Sequence, residues 1–232
     1  MVTRRPAVAR GRTALDWLDS RHSFSFGDYY DPTHMGFRTL RVINEDWVQP
    51  GQGFGTHPHR DMEIFTWIVE GALEHRDSMG TGSVIRPGEA QIMSAGTGVT
   101  HSEFNHSHDN VVHLLQIWLL PARRGLTPRY EQRAFPPAHM QDRLGVVVAP
   151  DGRDGAVTIH QDATVLVGRL AAGAQVEHPL AEGRSGWVQV VRGTVVANGT
   201  TLEAGDGAAL TAERAVRVDV RAPSEVVVFD LA

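Results

Sequence analysis

Short apolar runs separated by turn-forming residues dominate the pattern of this chain. Runs of five to ten residues rich in β-branched and aromatic side chains recur between Gly, Pro, Asn and Asp. This pattern predicts an all-β sandwich or barrel. Helical periodicity is scarce, and only residues 13–19 indicate a short capped turn, with Thr13 as N-cap and Asp16 three residues on. The predicted strands are 39–48, 63–69, 90–94, 111–120, 145–149, 163–170, 187–191, 215–220 and 225–229.

The strand pattern lapses once, between about Leu120 and Leu144, where prolines and polar residues replace the apolar runs. Such a stretch is typical of a connection between domains. The sequence therefore predicts an N-terminal domain at 1–125, a connection at 126–144 and a C-terminal domain at 145–232. A weak internal repeat supports two related halves, because segments 68–71 and 87–89 resemble segments 190–193 and 204–206.

Composition narrows the class of protein. An apolar content of 41% in 232 residues is sufficient for folded cores, and a net charge of -5 gives no general attraction to nucleic acid. Cysteine is absent, which excludes thiolate ligands and is consistent with a reducing cytoplasm. Lysine is absent too, which excludes Schiff-base chemistry. No apolar run approaches the ~20 residues of a membrane-spanning helix, so neither a membrane nor nucleic acid is expected as a partner.

Two pairs of residues with the same spacing carry the candidate chemistry. His57 and His59 lie two residues apart, and His101 and Glu103 repeat that spacing further along the chain. Alternate side chains of a β-strand point to one face, so each pair can direct both side chains to one point. Three imidazoles and a carboxylate predict a mononuclear site for a divalent transition metal. The second half offers only Glu177-His178-Pro179 at the matching position, which assigns the site to the first half.

Other residues near these pairs allow more than one interpretation. His106 and His108 lie in a polar segment and fit an exposed loop better than further ligands. His75 and Asp77 either approach the site or serve in a turn or in strand packing. The aromatic residues Phe54, Phe65, Trp67 and Trp118 fit a barrel core, and one or two of them could line a cavity for a flat ligand.

The first half resembles the pirin family of the cupin superfamily. The segment Gly51-Gln-Gly-Phe-Gly-Thr-His-Pro-His59 follows the first cupin motif closely, and the segment from Gly96 to Asn105 follows the second loosely. The resemblance covers nearly the whole first half and thins in the second. The more specific pirin phrases are His22-Ser-Phe-Ser-Phe26, Asp28-Tyr-Tyr-Asp-Pro32, Arg41-Val-Ile-Asn44, Asp61-Met-Glu63, Asp77-Ser-Met-Gly80, Gln91-Ile-Met-Ser-Ala-Gly-Thr-Gly98, His101-Ser-Glu103 and Thr127-Pro-Arg-Tyr-Glu-Gln132.

This resemblance implies a bicupin, with two β-barrel (double-stranded β-helix) domains of which the C-terminal one is degenerate. By position it implies His57, His59, His101 and Glu103 as the metal ligands. Glu63 takes the place of the ligand carboxylate in many other cupins. Because pirins place that carboxylate beside the last histidine, Glu63 is expected to orient an imidazole or the substrate instead. The resemblance favours iron(II), while Mn, Ni, Co, Cu and Zn also accept these ligands.

The resemblance also implies a reaction. The favoured hypothesis is a metal-dependent dioxygenase, similar to quercetin 2,3-dioxygenase, that cleaves flavonols with O2 and releases CO. Its partners are a small aromatic substrate and O2, with no organic cofactor, and Glu103 is the candidate catalytic base for the flavonol hydroxyl.

Two other functions remain open. One is a non-enzymatic, metal-dependent and redox-sensitive regulator that binds a protein partner. The other is a cupin isomerase or epimerase that uses the ion as a Lewis acid. A cytoplasmic monomer is expected in each case.

Overall fold

The computed structural model describes residues 1–232 and contains β-strands joined by turns and loops. The helical content consists of three single turns of 3-10 helix at Ala7–Ala9, Pro137–His139 and Arg153–Gly155. The prediction of an all-β chain is therefore confirmed. No helix is long and apolar enough to cross a membrane.

Twenty strands follow one another along the chain. They are β1 Val2–Arg5, β2 Gly11–Ala14, β3 Leu18–His22, β4 Leu40–Val48, β5 Gly53–His59, β6 Glu63–Glu70, β7 Leu73–Asp77, β8 Gly82–Ile85, β9 Glu89–Ser94, β10 Val99–Asn105, β11 Val112–Leu119, β12 Arg129–Ala134, β13 Gly145–Ala149, β14 Val157–Thr158, β15 Ala163–Leu170, β16 Gln175–Pro179, β17 Ser185–Ala197, β18 Thr200–Glu203, β19 Gly207–Leu210 and β20 Ala215–Leu231.

Each predicted strand overlaps an observed one, and the predicted strands 215–220 and 225–229 are parts of the single strand β20. The predicted helical turn at 13–19 is wrong. Thr13 lies in β2, which pairs with β3 in a hairpin that places Thr13 opposite Ser20. The Thr13 Oγ1 atom contacts the His22 Nε2 atom at 2.9 Å. The side chain that was expected to cap a helix therefore bonds to a neighbouring strand.

The chain forms two compact units. The N-terminal unit comprises Gly11–Ala134 and Val157–Gln161, and the C-terminal unit comprises Met1–Arg10, Phe135–Ala156 and Asp162–Ala232. The domain boundaries predicted from the sequence stay a prediction. The two units are defined by contacts in space, and each contains segments that are distant in the sequence.

Two antiparallel sheets build the N-terminal unit. The larger has the order β12-β9-β6-β11-β4-β3-β2, and the smaller has the order β5-β10-β7-β8. The apolar side of the larger sheet is fully buried, with Phe65 and Trp67 among the largest inaccessible side chains. Each such side chain stabilises the fold by about 1.5–3 kcal/mol through burial alone. Strand alternation sends Asn44 and Asp46 of β4, and Gln116 of β11, to the opposite face. That face forms part of the wall of an internal cavity.

The C-terminal unit is built on one antiparallel sheet in which β19, β17, β20, β15 and β13 are successive neighbours. Strand β1 completes its edge beside β19, with Val2 opposite Leu210. Valine and leucine side chains fill its core, and Val188, Val190, Val226 and Val228 are inaccessible. Where a second pair of alternating histidines would lie, β16 carries His178, whose Nε2 atom contacts Asp230 Oδ2 at 2.9 Å. This histidine serves a hydrogen bond within its own unit.

Candidate metal centre

Strand register brings the two predicted pairs of residues together. Strands β5 and β10 are antiparallel neighbours in the smaller sheet, and His57 lies directly opposite His101. Directly opposed residues of such strands have side chains on the same face and about 4.5–5.5 Å apart. Since His59 is two residues from His57, its side chain shares that face. Local sequence and pairing therefore direct all three imidazoles to one point.

The three imidazoles form a compact triangle. Ring centroids are 4.8 Å apart for His57 and His59, 4.5 Å for His57 and His101, and 4.8 Å for His59 and His101. One nitrogen from each residue can be chosen so that all three lie within 4.8 Å of one another. This is the arrangement that three ligands on one face of an ion require.

The hydrogen bonds of the imidazoles leave specific nitrogen atoms without a partner. His57 donates through Nδ1 to the Gly55 carbonyl at 2.7 Å, which leaves its Nε2 as the lone-pair nitrogen. The Nε2 atoms of His59 and His101 are buried and have no hydrogen-bond partner. Unpartnered buried polar atoms are costly and rare. A cation held by the three Nε2 atoms would satisfy them, so the residues present fit a metal ion.

Burial keeps the imidazoles of His59 and His101 neutral. Burial lowers the pKa of His59 to about 4, with a smaller effect from the nearby His57. Burial also lowers the pKa of His101 to about 2, helped by the neighbouring His57, His59 and His75. Neutral imidazole is the form that binds metals. A metal therefore has no proton to displace from His59 or His101 at neutral pH.

Glu103 lies beside the triangle of histidines rather than within it. The register between β5 and β10 shifts between His101 and Glu103, so that Glu103 lies opposite Phe54. Its carboxylate approaches His101 and His75 to within 4.8 Å, and it does not belong to the tight group of His57, His59 and His101. The structure thus brings His57, His59 and His101 together, while Glu103 groups with His101 and His75, on the side of β7.

A single amide holds the Glu103 carboxylate. Gln116 donates through Nε2 to both carboxylate oxygens, at 3.0 and 2.8 Å. Burial raises the pKa of Glu103 to about 7, against the opposing effect of the Gln116 hydrogen bond and with a further contribution from Asp46. A carboxyl group with such a pKa can accept or release a proton near neutral pH.

A cavity of about 220 Å³ opens onto His57 and His59. Its apolar wall includes aromatic rings, of which Trp118 meets His59 edge-on with ring centroids 4.8 Å apart. Phe54 and Trp118 were expected either in the core or at a cavity, and they line this one, while Phe65 and Trp67 belong to the buried core. The residues around the cavity are Thr13, Leu18, Ser20, His22, Phe26, Gly27, Asp28, Asn44, Asp46, Phe54, His57, His59, Glu103, Gln116 and Trp118.

The polar wall of this cavity was missed by sequence reasoning. His22 contacts Asn44 Oδ1 through Nδ1 at 2.7 Å, and Asp46 lies further along the same strand as Asn44. Asp46 is 3% exposed, and its Oδ1 atom has no hydrogen-bond partner. Burial raises the pKa of Asp46 to about 7. The sequence feature that could have indicated this polar wall is the segment Asn44-Glu-Asp46 within a predicted strand.

Asp46→Asn is expected to stabilise the metal-free protein in a pH-dependent manner. The folded chain keeps the Asp46 proton up to a pH of about 7, whereas the unfolded chain releases it near the ordinary pKa of 3.8. The folded state then binds more protons, so this residue lowers stability as the pH rises from about 4 to 7. The gain from Asp46→Asn should grow over that range, to roughly 1 kcal/mol or more at pH 8.

Urea unfolding of the metal-free protein and of Asp46→Asn, at several pH values, measures this effect. Glu103 and Glu45 are the charged neighbours and are present in both proteins. A gain that is equal at pH 5 and pH 8 would contradict the expected titration of Asp46.

Glu63 does not have the expected role. Its Oε2 atom accepts hydrogen bonds from Ser94 Oγ at 2.9 Å and from the His160 backbone N–H at 3.2 Å. These contacts fasten the segment Val157–Gln161 to β6 and β9 within the N-terminal unit. The expectation that Glu63 orients a metal-binding imidazole or the substrate is therefore wrong, because its partners lie outside the cavity wall.

The other three histidines near the predicted pairs, His106, His108 and His75, separate into exposed and buried residues. His106 and His108 are exposed in the loop after β10, as expected. His75 is fully buried and contacts His101 through the two Nδ1 atoms, at 3.4 Å. The structure supports both interpretations of His75 and Asp77, because His75 approaches the site and Asp77 accepts backbone hydrogen bonds in the turn after β7.

Two antiparallel β units, one of which brings three histidines together beside a cavity, define a cupin protein with a candidate metal centre. The family model described as pirin matches residues 4–119, and the one described as quercetinase C-terminal cupin domain matches residues 146–231. The chain belongs to the pirin family, and the prediction of a bicupin is confirmed.

Relatives span the full chain. Quercetin 2,3-dioxygenase of Escherichia coli K12 is 48% identical over 231 residues, which cover 100% of this chain and 99% of that protein. The crystal structure of the bacterial pirin YhhW from Escherichia coli in complex with nickel(II) matches with a TM-score of 0.94, at 48% identity, over 100% of this chain and 99% of that chain. A quercetin 2,3-dioxygenase structure from Acinetobacter baumannii matches with a TM-score of 0.77, at 25% identity, over 95% and 83% of the two chains.

Proposed function

We propose that this chain is a metal-dependent dioxygenase that cleaves flavonols such as quercetin with O2 and releases CO. The convergence of three imidazoles beside an aromatic-lined cavity carries this proposal. Relatives of nearly equal length that bear the name quercetin 2,3-dioxygenase support it. Small-molecule sites are typically apolar cavities with a few directed polar groups, which is the composition seen here.

The three histidines and Glu103 each have a defined part in this activity. His57, His59 and His101 bind the metal through Nε2, and Glu103 is the fourth predicted ligand. When bound, a divalent transition metal supplies Lewis acidity and one-electron chemistry toward O2. Glu103 takes the proton of the flavonol 3-hydroxyl, since burial poises its carboxyl group near neutral pH.

The cavity walls position the substrate and exclude water. Gln116 fixes the Glu103 carboxylate through two hydrogen bonds, which leaves its orientation independent of substrate. Phe54 and Trp118 offer apolar rings to a flat aromatic substrate. The Trp118 Nε1–H is buried without a partner and can donate to a substrate oxygen.

Iron(II) is the proposed working metal, and Mn, Ni, Co, Cu and Zn suit the same nitrogen and oxygen ligands. The related pirin YhhW is in complex with nickel(II) in its crystal structure, which supports a divalent ion of this group. The proposal includes a cytoplasmic, monomeric protein. The absence of cysteine is consistent with that location.

Quercetin cleavage by anaerobically reconstituted protein tests this function. Protein loaded with iron(II) should consume O2 and release CO in equal amounts after quercetin is added. Metal-free protein is the control and should do neither. Parallel loading with manganese, nickel, cobalt and copper compares the candidate metals.

Absence of CO with every metal would overturn the proposal. The function would then be sought in a regulator with a protein partner, or in an isomerase that needs no O2. Turnover of another substrate without O2 would identify the isomerase. Stable metal binding without any turnover would favour the regulator.

A further inference from the structure

A series of hydrogen bonds leads away from the candidate metal centre through residues that do not line the cavity. Strand β7 pairs with β10, which places Asp77 opposite His101 and His75 opposite Glu103. His101 Nδ1 lies 3.4 Å from His75 Nδ1, and His75 Nε2 lies 3.0 Å from Asp77 Oδ2. The side chains of His75 and Asp77 are both 0% exposed. Water therefore does not compete for these bonds.

Asp77 is the anchored end of this series of hydrogen bonds. Its Oδ1 atom accepts hydrogen bonds from the backbone N–H groups of Met79, at 2.9 Å, and of Thr81, at 3.0 Å. These two donors anchor the carboxylate in the turn between β7 and β8. The other oxygen, Oδ2, is directed at His75. An ionised carboxylate can only accept hydrogen bonds, so the direction of the contact with His75 is determined.

The direction of this hydrogen bond determines which nitrogen of His101 carries the proton. Because Asp77 accepts, His75 donates through Nε2. A neutral imidazole with a proton on Nε2 has its lone pair on Nδ1, so His75 accepts at Nδ1. His101 must then donate through Nδ1, and its lone pair falls on Nε2. This Nε2 atom is one of the buried, unpartnered nitrogens of the three histidines.

We propose that Asp77 and His75 are positioning residues that fix the tautomer of His101 and so prepare its Nε2 atom to bind the metal. This inference rests on the proposed role of His101 as a ligand. Outer partners of this kind orient metal-binding histidines and raise their basicity. We call the hydrogen-bonded series Asp77, His75 and His101 the relay. The ring of Tyr130, with its centroid 4.8 Å from that of His75, packs against the relay and keeps His75 in place.

Asp77→Asn reverses the relay with almost no change in shape. The amide oxygen of the introduced asparagine can still accept from the backbone of Met79 and Thr81, and its amide nitrogen then faces His75 as a donor. His75 must accept at Nε2 and donate at Nδ1, so His101 accepts at Nδ1 and carries its proton on Nε2. That proton occupies the position of the metal. Binding of nickel(II) should weaken about 10- to 100-fold.

The experiment reads the tautomer and the affinity separately. Nitrogen-15 NMR of histidine-labelled, metal-free protein should show a protonated Nδ1 and an unprotonated Nε2 for His101, and the reverse in Asp77→Asn. Nickel(II) affinity is measured by competition with a chelator. Asp142→Asn is the matched control, because Asp142 accepts a backbone hydrogen bond from Ala171 at 2.7 Å and has no histidine partner.

Each outcome decides one question. A reversed tautomer with weaker nickel binding in Asp77→Asn supports the relay, and unchanged affinity overturns it. A protonated Nε2 on His101 in the metal-free protein without any substitution also overturns it, so the test does not depend on the folding of a variant. Failure of the unsubstituted protein to bind nickel would instead contradict the proposed metal centre.

Discussion

His101→Ala is expected to abolish retention of the metal and to reduce CO release from quercetin to the background rate. His101 lies at the centre of β10, between His57 on β5 and the relay residues on β7, so its removal leaves two imidazoles on one strand. Loss of one of three converging ligands should lower metal affinity on the order of 100-fold or more, beyond the effect of an outer partner. Metal analysis after gel filtration, beside the activity assay, measures both losses.

The fold should survive this substitution. The core of the N-terminal unit around residues such as Ile68 and Leu114 does not include His101, so it remains intact in the variant. The far-ultraviolet circular dichroism of metal-free His101→Ala should match that of the metal-free protein. His106→Ala is the control, since His106 is exposed on the loop after the same strand. Full metal content in His101→Ala would remove this residue from the ligand set.

Glu103→Gln is expected to retain much of the metal and to lose turnover by roughly 10²- to 10⁴-fold, the usual contribution of a general base. The glutamine keeps the size of the side chain, and its oxygen can still accept from Gln116. It has neither the charge nor the basicity to take the flavonol proton. The measurement is kcat for CO release, divided by the metal content of each preparation.

Two results would change the role assigned to Glu103. Unchanged kcat in Glu103→Gln would reject it as a required base. Complete loss of metal would make it an essential ligand whose basicity cannot be tested in this way. Glu74→Gln on β7 is the matched control, because it neutralises a partly exposed glutamate in the adjacent strand.

The fold and the three converging histidines follow from local patterns in the sequence. A side-chain period of two places His57 beside His59 wherever β5 forms, and turn residues mark the strands of both units. Local patterns also produced errors where tertiary context decides. The pattern predicts two strands at 215–220 and 225–229, yet the single strand β20 continues through Pro223. Register shifts in the pairing of β17 with β20 accommodate that segment.

The supporting residues of the centre depend on pairing between strands, which no local pattern specifies. His75 and Asp77 repeat the spacing of His57 and His59, but their contact with His101 follows only from the register of β7 against β10. Glu63 matched a motif position, although its strand directs it toward Ser94 and His160. Spacing along the chain identified which residues can share a face, and strand register determined which faces meet.

Strand β1 has a consequence for how this chain is made. It pairs with β19, so the C-terminal unit includes one strand that the ribosome makes before the N-terminal unit and a partner that it makes afterwards. The backbone of β1 stays unpaired while the whole N-terminal unit is synthesised, and unpaired strand edges can pair with other chains. Its composition, Val-Thr-Arg-Arg, suits that delay, because two arginines discourage pairing with a second nascent chain. The C-terminal unit therefore closes only after the N-terminal unit has been synthesised.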